Sequence, residues 1–365
     1  MKIKRRKVLN PQLLFNKHVI PKTAYQCVNL NFGLLISYCM KIHLPLSTLM
    51  CKANAVRTFL FDITFLSHKV HGMGRLPSWI RLSLTTDQSF NRVNGLISDL
   101  SLHTVCESAK CPNRHECWNS GTATLMLLGD VCTRNCTFCA IKAGRPQGLD
   151  EDEPRRVALA ARNMDLRHAV LTSVARDDLE DGGAGIFAET INAIRSELPD
   201  ATIEVLTPDF EGDEDSLATV CEARPDVFNH NLETVSRLQP VIRPQASYGR
   251  SLAVLEYVGS RYPGIAVKSG LMLGMGETEE ELYKAMRDLV NAGCRILTLG
   301  QYLQPSRHHP PVKRYPEPGE FDAYAEKARE FGFIAVMSGP MVRSSYKADE
   351  LLQAVRDAKA ETVSG

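Results

Sequence analysis

The sequence has almost no net charge and, in its first 61 residues, no acidic residue. Lys and Arg number 43 against 42 Asp and Glu, which leaves a formal charge of +1. This balance excludes a global basic field that would attract nucleic acid or an anionic membrane. Apolar patches in residues 1–61, such as FGLLISYCM, are shorter than the ~18 residues that a membrane span needs. We therefore predict neither a nucleic-acid partner nor a membrane partner.

The acid-free segment 1–61 carries ten Lys and Arg and allows two interpretations. Organellar transit peptides are poor in acid, and one here would place the protein in a mitochondrion or plastid. A disordered extension, including upstream sequence translated from a misplaced start, is favoured because Lys outnumbers Arg and Ser is sparse. Neither interpretation adds chemistry, so no role is assigned to Cys27, Cys39 or Cys51.

From about residue 75, short apolar runs alternate with amphipathic helical stretches, which implies parallel strands with right-handed crossovers. The runs are TLMLLGD (124–130), AVLTSV (169–174), TIEVLTPD (202–209), VFNHNLE (227–233), SGLMLGMGE (269–277), ILTLGQYL (296–303) and FIAVMSG (333–339). Six strand-helix units in about 180 residues are too few for a complete eight-stranded barrel. The prediction is an α/β fold with a partial (βα)6 barrel, or alternatively an open doubly wound sheet. In either, the active site lies beyond the carboxyl ends of the strands.

Six of the eleven cysteines fall within residues 106–139, in two groups of three. The groups are Cys106, Cys111 and Cys117, and then Cys132, Cys136 and Cys139. The second group has the spacing CxxxCxxC and follows the first predicted strand. Three thiolates can hold one face of an iron–sulfur cluster and leave the fourth iron open, as catalytic metal sites require. A cluster that only transfers electrons normally uses four cysteines.

Disulfides, zinc and core packing account for these cysteines less well than clusters do. Disulfides suit small secreted scaffolds, whereas this chain is long and has no clear signal peptide. Zinc sites favour paired CxxC units, and only Cys136 and Cys139 supply one. Core packing does not account for six thiols among polar neighbours, although it does account for Cys221 and Cys294, which belong to helical patterns.

The CTRNCTFC stretch after the first strand of a partial barrel resembles the radical S-adenosylmethionine enzymes. Further motifs narrow the resemblance to the lipoyl synthase family, over residues ~75 to 357. They are CESAKCPNRHECW (106–118), DDLEDGGA (177–184), FNHNLETV (228–235), RPQASYGRSL (243–252) and GPMVRSSYKA (339–348). The short link between Cys117 and Cys132 is similar to that of the bacterial members, which favours a cytoplasmic enzyme.

The resemblance implies two 4Fe-4S clusters. S-adenosylmethionine would complete the cluster at Cys132, Cys136 and Cys139 through its amino and carboxylate groups. The other cluster would take its fourth ligand from the RSSY motif. We assign this ligand to Ser345, with Ser344 as the alternative.

The implied reaction inserts two sulfur atoms, at C6 and C8 of an octanoyl chain on a lysine of a lipoyl carrier domain. The implied carriers are the E2 subunits of 2-oxoacid dehydrogenases and the H protein of glycine cleavage. An electron donor such as ferredoxin or flavodoxin and a cluster-repair carrier would also take part. The alternatives are another radical sulfur insertion or methylthiolation, and an iron–sulfur electron carrier without catalysis.

Polar residues in otherwise apolar strands are candidates for contacts with S-adenosylmethionine, because burial without a partner costs several kcal/mol. The candidates are Glu204, Asn229, Asn231, Glu233, Lys268 and Gln301. The alternative is that these positions are solvated strand ends. Gly182 and Gly183 would let backbone approach the cofactor, and the Arg243 guanidinium matches a carboxylate. We predict a cofactor site that contains Gly182, Gly183, Asn229, Glu233 and Arg243.

A basic run between two prolines could receive an acidic carrier domain, although such runs are more often solvated loops. It contains Arg307, His308, His309, Lys313 and Arg314. The predicted domains are a basic extension (1–74), a segment with the first cysteine group (75–123), the partial barrel (124–332) and a C-terminal segment with RSSY over its open face (333–365).

Overall fold

The computed structural model describes residues 76–82 and 86–364. The basic segment 1–61, its three cysteines and the predicted domain 1–74 lie outside the described residues. Within the described part, one unit begins at Leu76. None of the described helices is both long and apolar enough to cross a membrane.

An eight-stranded sheet forms the centre of this unit. Its strands, numbered in chain order, are β1 (His103–Thr104), β2 (Thr124–Leu127), β5 (His168–Ser173), β6 (Thr202–Leu206), β7 (Val227–Asn229), β8 (Ala266–Leu273), β9 (Ile296–Gln301) and β10 (Ala335–Gly339). A separate two-stranded ladder joins β3 (Val131–Cys132) and β4 (Lys142–Ala143). The strands of the large sheet lie side by side in the order β1, β2, β5, β6, β7, β8, β9, β10, so β1 and β10 are its edges. All neighbours are parallel except β1 and β2, which are antiparallel.

From β2 onward, each strand of the large sheet is followed by at least one helix. The described helices are α1 (Gln88–Asp99), α2 (Val105–Ser108), α3 (Arg114–Asn119), α4 (Glu153–Asn163), α5 (Ala184–Glu197), α6 (Glu214–Glu222), α7 (Gln239–Ile242), α8 (Tyr248–Arg261), α9 (Glu279–Asn291), α10 (Pro318–Phe331) and α11 (Ala348–Ser364). Six strand-helix units result: β2–α4, β5–α5, β6–α6, β7–α8, β8–α9 and β9–α10. The predicted partial (βα)6 barrel is confirmed, and the seventh apolar run joins the same sheet as β10.

The strands form at apolar runs whose residues are buried on both faces of the sheet, as expected for a parallel sheet covered by helices. Every residue of β2 and of β9 is buried. Several predicted strand limits differ from the observed ones, by up to four residues. β7 ends at Asn229, four residues early, and β8 begins at Ala266, three residues early, because Lys268 is buried despite its charge.

The C-terminal segment returns to the barrel after β10. Near the carboxyl end of β9, Gly300 leaves room for the Val342 carbonyl oxygen, which would lie 2.1 Å from an added Cβ. Helix α11 then packs Leu351, Leu352 and Val355 against the first residues of β7, β8, β9 and β10. The segment that carries RSSY is therefore fixed at both ends by packing against the barrel.

Candidate active site

The CxxxCxxC cysteines lie in a loop that the chain closes on itself. β3 pairs with β4, and the Gly144 N–H donates to the Cys132 carbonyl oxygen at 2.9 Å. Three other segments anchor the loop. The Thr133 N–H donates to the Ala175 carbonyl at 3.0 Å, the Thr137 N–H donates to the Ile242 carbonyl at 2.9 Å, and His309 Nε2 lies 3.0 Å from the Cys139 carbonyl. The loop geometry is thus set by residues from three parts of the barrel.

Arg134, between the first two cysteines of the loop, is buried and paired with two carboxylates. Its Nη2 lies 2.7 Å from Asp177 Oδ1 and 2.7 Å from Asp209 Oδ1. Burial alone would raise the pKa of Asp209, but hydrogen bonding and charge from Arg134 outweigh it and lower the pKa to about 2. Asp209 is therefore ionised at neutral pH and holds the loop through Arg134.

The three thiols of the loop act on one another electrostatically. Burial raises the pKa of Cys139 to about 12, and the nearby Cys136 and Cys132 contribute to this rise. Cys132 Sγ accepts backbone N–H groups from Arg134 at 3.4 Å and from Ala175 at 3.3 Å. Such N–H donors stabilise thiolates and tune iron–sulfur clusters. These thiols fit a 4Fe-4S cluster, whose assembly would require them to lose their protons.

No three His, Cys, Asp or Glu side chains among residues 76–82 and 86–364 could hold a single metal ion. A cluster makes a different demand, because each thiolate binds a separate iron. The finding therefore concerns sites for one ion and does not test whether the two groups of three thiols hold clusters.

Arg243 and Glu233 lie beside the same loop. The Arg243 guanidinium contacts the Cys136 thiol and lowers its pKa, although burial outweighs this and the net pKa is raised. Arg243 Nη1 donates to the Asn231 carbonyl at 2.9 Å, whereas its buried Nε has no hydrogen-bond partner in the described part of the chain. Burial also raises the pKa of Glu233. The unpartnered N–H of Arg243 suits the carboxylate group of an amino acid, and the desolvated carboxyl group of Glu233 suits its amino group.

Gly182 and Gly183 have positive φ angles of 59° and 90° at the start of α5. A Cβ on Gly183 would lie 2.3 Å from a Leu128 methyl carbon, and one on Gly182 would lie 3.0 Å from the Phe210 ring. Close packing therefore accounts for both glycines, and their contact with S-adenosylmethionine stays a prediction.

Asn229 points into the barrel, where it bonds to protein groups. Its Nδ2 donates to Glu204 Oε1 at 2.9 Å and to Ser344 Oγ at 2.8 Å. Glu204 in turn accepts hydrogen bonds from Lys268 Nζ at 2.8 Å on both of its oxygens. The structure thus joins Asn229 to the RSSY motif, a contact that the sequence did not suggest. Gln301 Nε2 likewise bonds to protein, donating to the Tyr302 carbonyl at 2.9 Å.

Cys106, Cys111 and Cys117 form the second group of thiols, carried by α2, α3 and the turn between them. Burial and the charges of Cys106 and Cys111 raise the pKa of Cys117 to about 12. Burial and Cys111 raise the pKa of Cys106 to about 11, although the Thr124 N–H and the Trp118 indole oppose this. Mutually interacting thiols beside N–H donors fit a second cluster.

The RSSY motif lies against this second group. Asn113 Nδ2 donates to the Met341 carbonyl at 2.7 Å, and the Tyr346 hydroxyl donates to Glu116 Oε1 at 2.7 Å. The charge of Arg343 lowers the pKa of Cys111, although burial outweighs it. The chain therefore brings residues more than 220 positions apart together at one place.

Sequence reasoning missed Arg134, Asp209, Asn113 and His309 as supports of the two cysteine groups. A signal was present for Arg134, because an arginine among metal-binding cysteines needs carboxylate partners once it is buried. The other three residues gave no local signal, since their partners are distant in sequence.

Comparison with known proteins gives two family matches. Residues 126–289 match the model of the radical SAM superfamily, and residues 64–111 match that of the N-terminal domain of lipoyl synthase. The chain is 55% identical over 280 residues to lipoyl synthase of Rubrobacter xylanophilus, covering 77% of this chain and 87% of that one. It is 51% identical over 282 residues to lipoyl synthase of Caldanaerobacter subterraneus, covering 77% and 99%.

Proposed function

We propose which residues carry out each part of one reaction, and we start from the finding that this chain belongs to the lipoyl synthase family of radical S-adenosylmethionine enzymes. It is accordingly a sulfur-inserting transferase that uses 4Fe-4S clusters and S-adenosylmethionine. The reaction replaces C–H bonds at C6 and C8 of an octanoyl chain with C–S bonds. These carbons are unactivated, so acid–base groups of the protein cannot cleave their C–H bonds. When bound, the cofactors supply the radical that removes hydrogen and the sulfur that replaces it.

In this account, the loop cysteines Cys132, Cys136 and Cys139 hold the cluster that binds S-adenosylmethionine. Arg243 orients the carboxylate of the cofactor through its unpartnered Nε, and Glu233 receives the amino group. Binding of a cation would favour the ionised form of Glu233, whose pKa is raised by burial.

The second cluster is held by Cys106, Cys111, Cys117 and Ser345. Ser344 is the less suitable ligand because its hydroxyl is already engaged by Asn229 and Asn231. The observation that carries the assignment is the position of the RSSY motif, which bonds to the segment around Cys111 and Cys117 on one side and to Asn231 on the other. A serine oxygen is a harder donor than a thiolate, so iron held by it should be released more easily. Release would suit a cluster that gives up its sulfur.

The substrate is an octanoyl group held on a carrier protein. The proposed carriers are the lipoyl domains of 2-oxoacid dehydrogenase E2 subunits and the H protein of glycine cleavage. A ferredoxin or flavodoxin would provide electrons, a cluster-repair carrier would restore the second cluster, and the reaction would take place in the cytoplasm.

The carrier would dock on the basic run, where Arg307, His308 and Lys313 are exposed. His309 in the same run reaches the Cys139 carbonyl, so a docked carrier would lie next to the cysteine loop. Arg307→Ala and Lys313→Ala should raise KM for an octanoylated carrier domain at low salt and leave KM for a short octanoyl-lysyl peptide unchanged. The matched control is Arg92→Ala, at an exposed arginine of α1. Binding of the carrier that does not weaken with salt would rule out this docking surface.

The reaction itself is tested by mass spectrometry of an octanoyl-lysyl peptide. The peptide is incubated without oxygen with the cluster-loaded protein, S-adenosylmethionine and a reductant. The expected product has gained two sulfur atoms, with no net change in hydrogen as the dithiol and a loss of two hydrogen atoms once it is oxidised to the disulfide, and 5'-deoxyadenosine accumulates with it. Abundant 5'-deoxyadenosine beside unchanged peptide would show radical chemistry on a different substrate and would refute the proposed one.

A further inference from the structure

The hydroxyl of Ser344 is held between two asparagine side chains inside the barrel. We propose that Asn229 and Asn231 are positioning residues, which hold Ser344 and thereby fix the neighbouring Ser345 toward the second cysteine group. The inference rests on the proposed function in one respect, the assignment of Ser345 as a cluster ligand. It gives Ser344 and Asn229 a role different from binding of either cofactor.

The hydrogen bonds define a chain with one direction. Asn229 Nδ2 donates to Ser344 Oγ at 2.8 Å, and Ser344 Oγ donates to Asn231 Oδ1 at 3.0 Å. Asn231 Nδ2 then donates to Glu233 Oε1 at 3.1 Å. The Ser344 hydroxyl has one proton, and that proton is committed to Asn231 while the oxygen accepts from Asn229.

Asn229 is itself held in place by a buried ion pair. Its side chain is fully buried, and its Nδ2 also donates to Glu204, which the Lys268 ammonium neutralises. These contacts orient the amide so that Nδ2 faces Ser344. A buried, oriented donor loses little conformational entropy when it binds, which is what a positioning residue requires.

Two glycines give the arrangement the space that it needs. A Cβ on Gly270 would lie 2.8 Å from Asn231 Oδ1, and one on Gly300 would lie 2.1 Å from the Val342 carbonyl oxygen. Both neighbours are parts of the same arrangement, namely one asparagine and the segment that precedes RSSY. The strands β8 and β9 are therefore shaped to accept it.

The chain of hydrogen bonds also links the two parts of the active site. It passes through Ser344, next to the residue assigned to the second cluster, and ends at Glu233, whose charge acts on Cys136 and Cys139. A shift of Ser344 would therefore displace Asn231 and Glu233 beside the first cluster.

The test compares Asn229→Ala, Ser344→Ala and Ser344→Thr with Asn192→Ala, a control at an exposed asparagine of α5. The cluster-loaded, full-length protein is used for hydrogen exchange of the peptide 341–347 and for Mössbauer spectra of the serine-ligated iron. Asn229→Ala should speed exchange roughly fivefold, the factor expected for the loss of one hydrogen bond, and Ser344→Ala roughly thirtyfold, because it removes the bonds to both asparagines. Both should lower the fraction of serine-ligated iron more than they weaken binding of S-adenosylmethionine.

Ser344→Thr keeps the hydroxyl and should restore exchange and iron spectrum to near the parental values. The double variant Asn229→Ala/Ser344→Ala should be no worse than Ser344→Ala, since both changes remove the same bond. Two results would overturn the proposal. Asn229→Ala could weaken S-adenosylmethionine binding without changing exchange, which would make Asn229 a cofactor contact. Ser344→Ala could abolish the iron signal while Asn229→Ala preserves it, which would make Ser344 the ligand. Failure of the proposed function is seen separately, as an unchanged iron signal in Ser345→Ala.

Discussion

Lys268→Met should destabilise the protein strongly, because it leaves Glu204 without its counter-ion inside the barrel. The side chains of Lys268 and Glu204 are 0% and 1% exposed, and Nζ lies 2.8 Å from both carboxylate oxygens. Removing one partner of such a buried pair typically costs about 3–5 kcal/mol, since the remaining charge is uncompensated. With an unfolding entropy of ~2.1 cal/mol/K per residue over ~290 residues, this corresponds to a fall in Tm of about 5–8 °C.

The assay is thermal unfolding followed by circular dichroism, with two comparison variants. Lys284→Met removes a lysine from an exposed helical pair with Asp288 and should cost less than about 1 kcal/mol. Lys268→Met combined with Glu204→Gln should recover more than half of the loss, because the amide is neutral and can still accept from Asn229. Equal effects of Lys268→Met and Lys284→Met would refute the argument from burial.

The pH dependence of this variant supplies a second check. In the parent, burial raises the pKa of Glu204, but Lys268 and His168 outweigh it and the net pKa is lowered. The pair therefore stabilises the protein above the ordinary pKa of glutamate, and this stability is lost as the pH falls through the lowered pKa. In Lys268→Met, burial without the lysine should raise the pKa of Glu204. The stability deficit relative to the parent should then shrink as the pH falls from 7 toward 5.

Two further predictions concern other parts of the site. Gly300→Ala should displace the RSSY segment, because the new Cβ would meet the Val342 carbonyl oxygen at 2.1 Å, and iron analysis should show loss from the second cluster. The control Gly95→Ala meets nothing within 4 Å and should be neutral or stabilising by up to about 1 kcal/mol. Burial lowers the pKa of His230 to about 4, so its neutral form stabilises the protein above pH ~6.5, and this stability is lost as the pH falls from there through 4. His230→Gln should flatten the dependence of the unfolding free energy on pH in that range, whereas an unchanged slope would show that another group is responsible.

The strands and the cysteine groups were predictable because their signals are local. Apolar runs mark strands buried on both faces. The observed limits of β5 differ from the predicted ones by one residue at each end, and β9 begins where predicted and ends two residues early. The spacing of six cysteines within 34 positions needed no knowledge of the fold.

The interior of the site was not predictable, because its contacts join distant parts of the chain. Ser344 and Asn229 are 115 positions apart, and no periodicity marks them as partners. The bonds of the Asn229 amide to Glu204 and Ser344 gave no signal in the sequence, and the contact of Asn229 with the cofactor stays a prediction. The start of β8 was missed because Lys268 interrupts its apolar pattern. A charged side chain can be recognised as buried only when its partner is known.

The most direct test of the account is the reaction of Ser345→Ala with the octanoyl-lysyl peptide, measured by mass spectrometry beside the parental protein. In the proposed assignment the loop cysteines hold the cluster that cleaves S-adenosylmethionine, so both proteins should form 5'-deoxyadenosine. Only the parental protein should deliver sulfur to the peptide, because the variant lacks the fourth ligand of the second cluster. Peptide carrying two sulfur atoms at the parental level in Ser345→Ala would contradict the assignment.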